Sequence, residues 1–397
     1  MTKFTPINRR HFLKGMSATS AALLASGAFT PQIALAKTKS DNILIWIILR
    51  GAWDGLNVLV PYGDPNYYKH RSSLAIAADK LHKADGLFGF NPALKELHQL
   101  YQKKELMFAH AVASPYRSRS HFDGQKILEN GTGKAGIRSG WLNRLIDADK
   151  HHKAIAIDSG LPLILQGDAI ADSWYPNKLN EQERETELLI EMLANNPSLS
   201  ANLEQALKIE QMAMDMNLSG NKKQGKNITN ITKQTASFLK DNGVNSPNIA
   251  ALELGGWDTH ASQGVLKGRL AAQLNILEKA ILSFKKHLGT KWHKTIIIGC
   301  SEFGRTAKQN GTGGTDHGTG SALLLAGGAI NGGQIIADWP ELKQSSLYEG
   351  RDLYPPMDVR SVFKSILLEH LHITEAAVAD IFPNSQNIKP HDGIVKS

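Results

Sequence analysis

The chain has 397 residues, with 45 Lys and Arg against 37 Asp and Glu for a formal charge of +8 at neutral pH, and 42% apolar side chains. That is ample chain to bury a large core, and too mild a positive charge to argue for nucleic acid as a partner. Cys300 is the single cysteine, so no internal disulfide can form, and a metal site must draw on histidine and carboxylates.

The N-terminus carries Asn8-Arg9-Arg10-His11-Phe12-Leu13-Lys14, then an Ala/Ser/Leu-rich run from Ala18 to Ala28, then Ala34-Leu35-Ala36. Paired arginines, a short apolar stretch and a small-x-small triplet read as a twin-arginine export signal over residues 1–36. The mature chain is then expected to begin at Lys37, periplasmic or secreted, after passage as a folded protein through the twin-arginine translocase. Lys3, Arg9, Arg10 and Lys14 are lost with the signal and no acid goes with them, so the formal charge falls from +8 to +4. The apolar run is too short and too rich in Ser, Gly and Ala for a membrane span, and no later stretch approaches the roughly 20 apolar residues a span needs. The remaining residues, 37–397, are expected to form one domain.

Ile43 to Leu49 is a continuous apolar run ending in Arg50-Gly51-Ala52-Trp53-Asp54-Gly55, as suits a buried central strand and a tight turn. Comparable runs occur at Leu106 to Val112, Ile155 to Ile157, Ile249 to Leu254, Thr295 to Gly299 and Ala322 to Ala326. Helical patterns lie between several of them, over Pro92 to Lys103, His121 to Glu129, Gln263 to His287 and Asp358 to Leu371. Strands alternating with helices predict an α/β sandwich around a largely parallel sheet. From Glu181 to about Asp241 the pattern is helical and strand-poor, a predicted helical insertion. Within it Met212, Met214 and Met216 read as packing residues, and Asn217 to Asn227 as a loop.

Gly, Asp, His, Glu and Arg gather in Arg50 to Asn57, Gly255 to His260 (GGWDTH), Ser301 to Thr306 (SEFGRT) and Thr315 to Gly320 (TDHGTG), each expected to follow a strand. Ser114 to Asp123 (SPYRSRSHFD) follows the run ending at Val112. Ligands in open α/β sheets bind at the carboxyl ends of strands, so these positions carry meaning. Asp258 and His260 share a side if the backbone is extended, making a candidate metal-binding pair. The competing reading has Asp258 cap a helix starting near Ser262. Asp316-His317 sits among five glycines in residues 311–320, a backbone that can bring hard ligands close to an ion. Glu302 and Arg305 would place a carboxylate and a guanidinium on one rim, or form a simple salt bridge.

These motifs in this order, with Ser120-His121-Phe122-Asp123 and the late Asp358-Val359-Arg360-Ser361, resemble the exported family catalogued as domain of unknown function 1501 over nearly the whole mature chain. That family is grouped with the alkaline phosphatase and sulfatase-like superfamily, so the resemblance implies an alkaline phosphatase-like α/β/α sandwich with one or two divalent metals at the sheet's carboxyl edge. It matches Asp54 to the superfamily's first-strand aspartate, Asp258 and His260 to central ligands and His317 to a late histidine. Glu302 stands where the superfamily has the Asp of an Asp-His pair, with Phe303 in the place of its His. An alternative alignment sets Asp316-His317 on that pair. In this picture Asp258, His260 and His317 hold one ion while Asp54 and Glu302 hold or approach a second, zinc, manganese or magnesium.

Ser118 and Ser120, just ahead of the helix expected from His121, are the candidate nucleophiles by order and context, and each is also a natural N-cap. Arg119 or Arg305 would neutralise developing charge. Formylglycine chemistry does not fit, because Ser114-Pro115-Tyr116-Arg117 lacks the intervening residue and Cys300 is followed by Ser-Glu-Phe-Gly. The expectation is an exported metal-dependent hydrolase of small phosphoric or sulfuric esters. The alternative is a non-catalytic binding or assembly protein on a phosphatase-like scaffold.

Overall fold

The computed structural model describes residues 41–158, 160–175, 227–241, 243 and 246–396. The export signal, the three methionines and the expected loop through residue 226 lie outside the described residues. Of the expected helical insertion, the described part is the helix Ile228–Lys240 with the turn after it.

Among the described residues twelve strands occur in chain order: β1 (Ile43–Leu49), β2 (Leu59–Val60), β3 (His82–Lys83), β4 (Gly89–Phe90), β5 (Leu106–Ala113), β6 (Ala154–Ala156), β7 (Asp172–Ser173), β8 (Ile249–Leu254), β9 (Thr295–Cys300), β10 (Ser321–Ala326), β11 (Ile335–Ile336) and β12 (Met357–Asp358). The large sheet has the order β11-β5-β10-β9-β1-β8-β6-β7, with β12 also beside β5, and β2, β4 and β3 form a small separate sheet. β1 pairs in parallel with β8 and β9. The β8, β6 and β7 ladders are parallel, as are those of β5 with β11 and β12. Between β9 and β5, β10 runs antiparallel to both.

Successive side chains of a strand point to opposite faces, and β1 buries both. Ile43, Ile45, Ile47 and Leu49 join one apolar cluster; Leu44, Trp46 and Ile48 join the other. That is why the sequence reads as an unbroken apolar run instead of an alternation. The first face is covered by Leu270, Leu274, Leu277, Ile281 and Phe284 of the helix Arg269–Leu288, with Leu97 and Leu100 of Lys95–Gln102 and Phe238 of Ile228–Lys240. The second is covered by Trp141, Leu142 and Leu145 of Trp141–Ala148, Val362 and Phe363 of Val359–Ser365, and Val378 and Ile381 of Glu375–Ile381. Helices on both faces of a mostly parallel sheet make the expected α/β/α sandwich. Each fully buried Leu or Phe contributes about 1.5–3 kcal/mol of apolar transfer.

Some boundaries differ from expectation. The helix expected from Gln263 begins at Arg269, because Gly264 and Gly268 adopt φ of +80° and +130° and the Gln263 side chain is drawn into a polar cluster. The helix expected over Asp358 to Leu371 is α-helical over Val359–Ser365, capped by Asp358, and continues as a π-turn over Ile366–His370. Pro92–Leu94 forms a 3₁₀ turn ahead of Lys95–Gln102. The short helices Pro65–His70, Trp141–Ala148 and Glu375–Ile381 were beyond reach of the periodicity argument, since six to eight residues give it barely two turns. Among the described residues no helix is long and apolar enough to cross a membrane.

The reversal of β10 positions the site. TDHGTG, expected to follow a strand, precedes β10 instead. Because β10 runs against its neighbours, its start lies at the edge where β1, β5, β8 and β9 end.

Candidate metal centre

Four loops leave that edge, and backbone contacts force them together. Trp53 and Trp257, one from each Gly-rich loop, pack edge to face with centroids 5.7 Å apart. Their ring nitrogens donate to the carbonyls of Ala322 and Leu254 at 2.8 and 2.9 Å, pinning both loops to strand ends. Gly51 has φ +118°, and a Cβ there would lie 2.6 Å from the Asp258 amide nitrogen, so only glycine lets the loops close. SEFGRT and TDHGTG form a narrow antiparallel ladder: Gly304 N–H donates to Thr319, Gly318 N–H to Gly304 and Thr306 N–H to Asp316, at 2.8 to 3.0 Å. A Cβ on Gly318 would meet the Arg305 carbonyl at 2.3 Å.

At the centre the Nε2 atoms of three histidines converge. His317 Nε2 lies 2.8 Å from His121 Nε2 and 2.9 Å from His260 Nε2. Asp258 completes the group, with Oδ1 3.0 Å from His260 Nε2 and 3.5 Å from His317 Nε2, and Oδ2 3.5 Å from His121 Nε2. Ligand atoms of His121, Asp258 and His317 all fall within 4.8 Å of one another. The Asp258 and His260 side chains are 42% and 45% exposed, so the group opens to solvent.

The opposite ring nitrogens decide where the protons are. His121 Nδ1 lies 2.6 Å from Glu302 Oε1, His260 Nδ1 3.2 Å from Asp316 Oδ1, and His317 Nδ1 2.9 Å from the Arg119 carbonyl. Carboxylates and carbonyls only accept, so the neutral His121 and His317 rings carry their proton on Nδ1 and turn an Nε2 lone pair inward, while His260 has a carboxylate at each nitrogen, Asp316 at 3.2 Å and Asp258 at 3.0 Å. Inward-facing lone pairs and a carboxylate turned on one another repel unless a cation or a proton lies between them. Rings held this way by oxygen acceptors, with the other nitrogen turned inward, are the arrangement of metal-binding histidines.

The charges fit the same picture. His121 is raised above the ordinary histidine range, first by its hydrogen bond to Glu302. Burial, reinforced by the His121 charge, pushes His317 down. Burial opposes ionisation of Asp258, yet Arg305, 2.6 Å from Oδ1, together with His260 and His121 holds it below the usual carboxylate value. Arg305 is 1% exposed, with Nε on Thr315 Oγ1 at 3.1 Å and, among the described residues, no hydrogen-bond partner for Nη2. Hydrogen bonding to Asn310, and then to His260, lowers Asp316.

Glu302 is wholly buried and already occupied. It accepts from the Gly51 amide, His121 Nδ1 and Gln125 Nε2 at 2.9, 2.6 and 3.0 Å, with Ser301 Oγ 2.8 Å from its other oxygen. Burial raises it, but these bonds, that of His121 first, leave it below the normal glutamate value. It stands behind His121 instead of among the inward-facing atoms. Asp316 stands in the same way behind His260.

Asp54 is placed at the same edge but in a separate cluster. Its oxygens accept from Arg71 Nη1 and Nη2 at 2.5 and 2.9 Å and from Gln263 Nε2 at 2.7 Å, all buried. The Arg119 side chain pairs with Asp352 and Glu349, away from Asp258. Ser118 and Ser120 are exposed, and Ser120 occupies the N-cap position of the helix His121–Asn130 without a side-chain capping bond. Phe303 lies against the histidines, its ring centroid 4.9 Å from that of His121 and 5.3 Å from that of His317.

His121 begins the helix His121–Asn130 as expected, and sequence reasoning gave it no ligand role. Its place in the segment that leaves the end of β5, at the edge where Asp258 follows β8, is the signal that points to it.

Among solved structures, the chain resembles the C-terminal periplasmic domain of EcEptC from Escherichia coli in complex with Zn, at 11% identity over 72% of this chain and 73% of that one, with a TM-score of 0.37. It resembles the phosphonate monoester hydrolase of Agrobacterium radiobacter at 10% identity, over 84% of this chain and 74% of that chain, TM-score 0.34. It also resembles the alkaline phosphatase from the Antarctic bacterium TAB5 at 13% identity, over 75% of this chain and 95% of that chain, TM-score 0.33. No curated protein matches the chain. The model of the family described as protein of unknown function (DUF1501) matches residues 41–381, and the chain belongs to that family.

Proposed function

We propose that this chain is an exported hydrolase of small phosphoric or sulfuric esters that works with a single divalent ion held by His121, Asp258, His260 and His317. The observation that carries the reading is the convergence of three Nε2 atoms and one carboxylate, each ring fixed from behind by an oxygen acceptor. Asp54 and Glu302 are engaged elsewhere, which favours one ion over two. Three imidazoles and a carboxylate suit zinc or manganese better than magnesium, which prefers oxygen ligands. A divalent ion there would polarise an ester oxygen and make a nearby water molecule more acidic.

The chain's own groups do the rest. Arg305 holds the Asp258 carboxylate in place and keeps a positive charge beside it that would offset charge growing on a phosphoryl or sulfuryl oxygen. Glu302 keeps the His121 proton on Nδ1, and Asp316 braces the His260 ring from behind. The exposed Ser118 and Ser120 make no hydrogen bond to a base, so water is the nucleophile in this reading. The twin-arginine motif supports export before cleavage near Lys37.

A second reading has a specific observation behind it. Phe303, buried against His121 and His317, stands where the family resemblance expects a ligand histidine, which favours a binding or assembly protein that keeps the ion for structure. The deciding experiment measures zinc and manganese content of the mature protein, and its hydrolysis of an aryl phosphate and an aryl sulfate, alongside Asp258→Ala. Bound metal and slow turnover, both lost in Asp258→Ala, are expected. Wild-type protein that binds no metal would remove the hydrolase reading. Metal without turnover on either ester would leave the binding reading in its place.

A further inference from the structure

His317 is fixed by a single backbone carbonyl, that of Arg119, whereas His121 and His260 lean on carboxylates. The carbonyl is aimed by an uncommon conformation: Arg119 has φ +61°, in the left-handed region that side chains with a Cβ rarely adopt. A residue stays there only when its surroundings hold it. The holder is Asp352, wholly buried and 233 residues further along the chain.

One Asp352 oxygen, Oδ2, accepts from Arg119 Nε at 2.8 Å and from Thr319 Oγ1 at 2.8 Å. It therefore grips the residue whose carbonyl faces His317 and the residue two places beyond His317. The other oxygen accepts from Arg351 Nε at 2.8 Å, and Arg351 Nη2 donates to the His317 carbonyl at 2.5 Å. One buried carboxylate thus holds the residue that faces the His317 ring, the residue two places beyond it and the arginine bonded to its backbone carbonyl.

We propose that Asp352 is a positioning residue of the metal centre, acting through Arg119, Thr319 and Arg351 to fix the orientation and tautomer of His317. The inference rests on the metal-centre reading above. It assigns a role to a residue that carries no motif and touches none of the inward-facing atoms.

The test titrates the mature chain with zinc chloride by calorimetry and with cobalt chloride by visible absorption, a spectrum that reports the number and geometry of nitrogen ligands. Asp352→Asn and Arg119→Gly are compared with wild type; glycine keeps the left-handed backbone accessible and removes the side chain that Asp352 grips. Each is expected to weaken zinc binding about 10- to 100-fold, the usual effect of losing an outer-shell partner, and to change the cobalt spectrum. Asp64→Asn is the matched control. Asp64 is a buried carboxylate that accepts from the amides of Asn66 and Leu342 in another part of the fold. It should lower Tm and leave zinc affinity and the cobalt spectrum unchanged. If Asp352→Asn does not fold, Arg119→Gly and Thr319→Val decide. Variants that bind zinc within about twofold of wild type with an unaltered cobalt spectrum overturn the inference, while a wild type that binds neither ion overturns the metal-centre reading itself.

Discussion

Two carboxylates at one edge of the sheet, Asp54 and Asp258, each lie against a buried arginine, yet their surroundings differ in kind. Around Asp54, Arg71 spans both oxygens, Gln263 adds a third donor, and Arg71 donates further from Nε to the Ala307 carbonyl and from Nη2 to that of Thr306. Acceptors and donors balance and the cluster is closed to water. Around Asp258 the single arginine is outnumbered: three imidazole nitrogens face the same space, and the group is half open. One cluster is complete as a structural ion pair; the other is short of positive charge. Completeness, more than residue type, separates a brace from a ligand set.

The largest effect that sharpens this contrast is expected at Asp54. Asp54→Ala leaves the Arg71 guanidinium buried without its partner, which costs about 3–5 kcal/mol. Denaturant unfolding should show that loss while bound metal per folded chain stays at the wild-type ratio. Metal lost along with Asp54 would place this carboxylate in the centre and erase the distinction drawn here.

Glu302→Gln probes the open cluster from behind. Glutamine keeps an acceptor for His121 Nδ1 but removes the charge that draws His121 upward. Zinc affinity at neutral pH is expected to fall about 10- to 100-fold. Without metal, the His121 resonance in NMR titration should shift at a lower pH than in wild type. The sign follows from linkage: a histidine whose folded value is raised stabilises the metal-free fold below its unfolded value and loses that contribution as pH rises through the raised one. An unchanged His121 titration would show that Glu302 does not set its proton.

The smallest effect is expected beyond both clusters, at Glu129, which burial pushes up to about 7 despite Arg50. An acid raised in the folded state adds stability that is present below its unfolded value and is lost as pH rises through the folded one. Wild-type stability should therefore decline between about pH 4.5 and 7 through this group. Glu129→Gln should flatten that decline and be the more stable protein at pH 8. A decline that persists in Glu129→Gln would assign it to another group.

Much of the architecture was written in local chemistry. The apolar runs of β1, β5, β8, β9 and β10 lie within a residue or so of their observed strands, since strands buried on both faces must be continuously apolar. The Gly-rich motifs at strand ends pointed to one edge, and Asp258, His260 and His317 were singled out from them. What the sequence could not rank was Asp54 against His121, because partners such as Arg71 and Glu302 come from distant segments.

The sequence by itself determined which residues are apolar enough to build a sheet covered on both sides, which turns need glycine, and which loops carry imidazole and carboxylate. Only the tertiary structure decided which of those groups remain short of a counter-charge. It did so through the reversal of β10, which carries His317 to the edge where the parallel strands end. It also brought Glu302 behind His121 across 181 residues of chain. Local propensities fix strands and turns over a few residues, whereas the charge balance of a side chain depends on whichever segments the completed fold packs beside it.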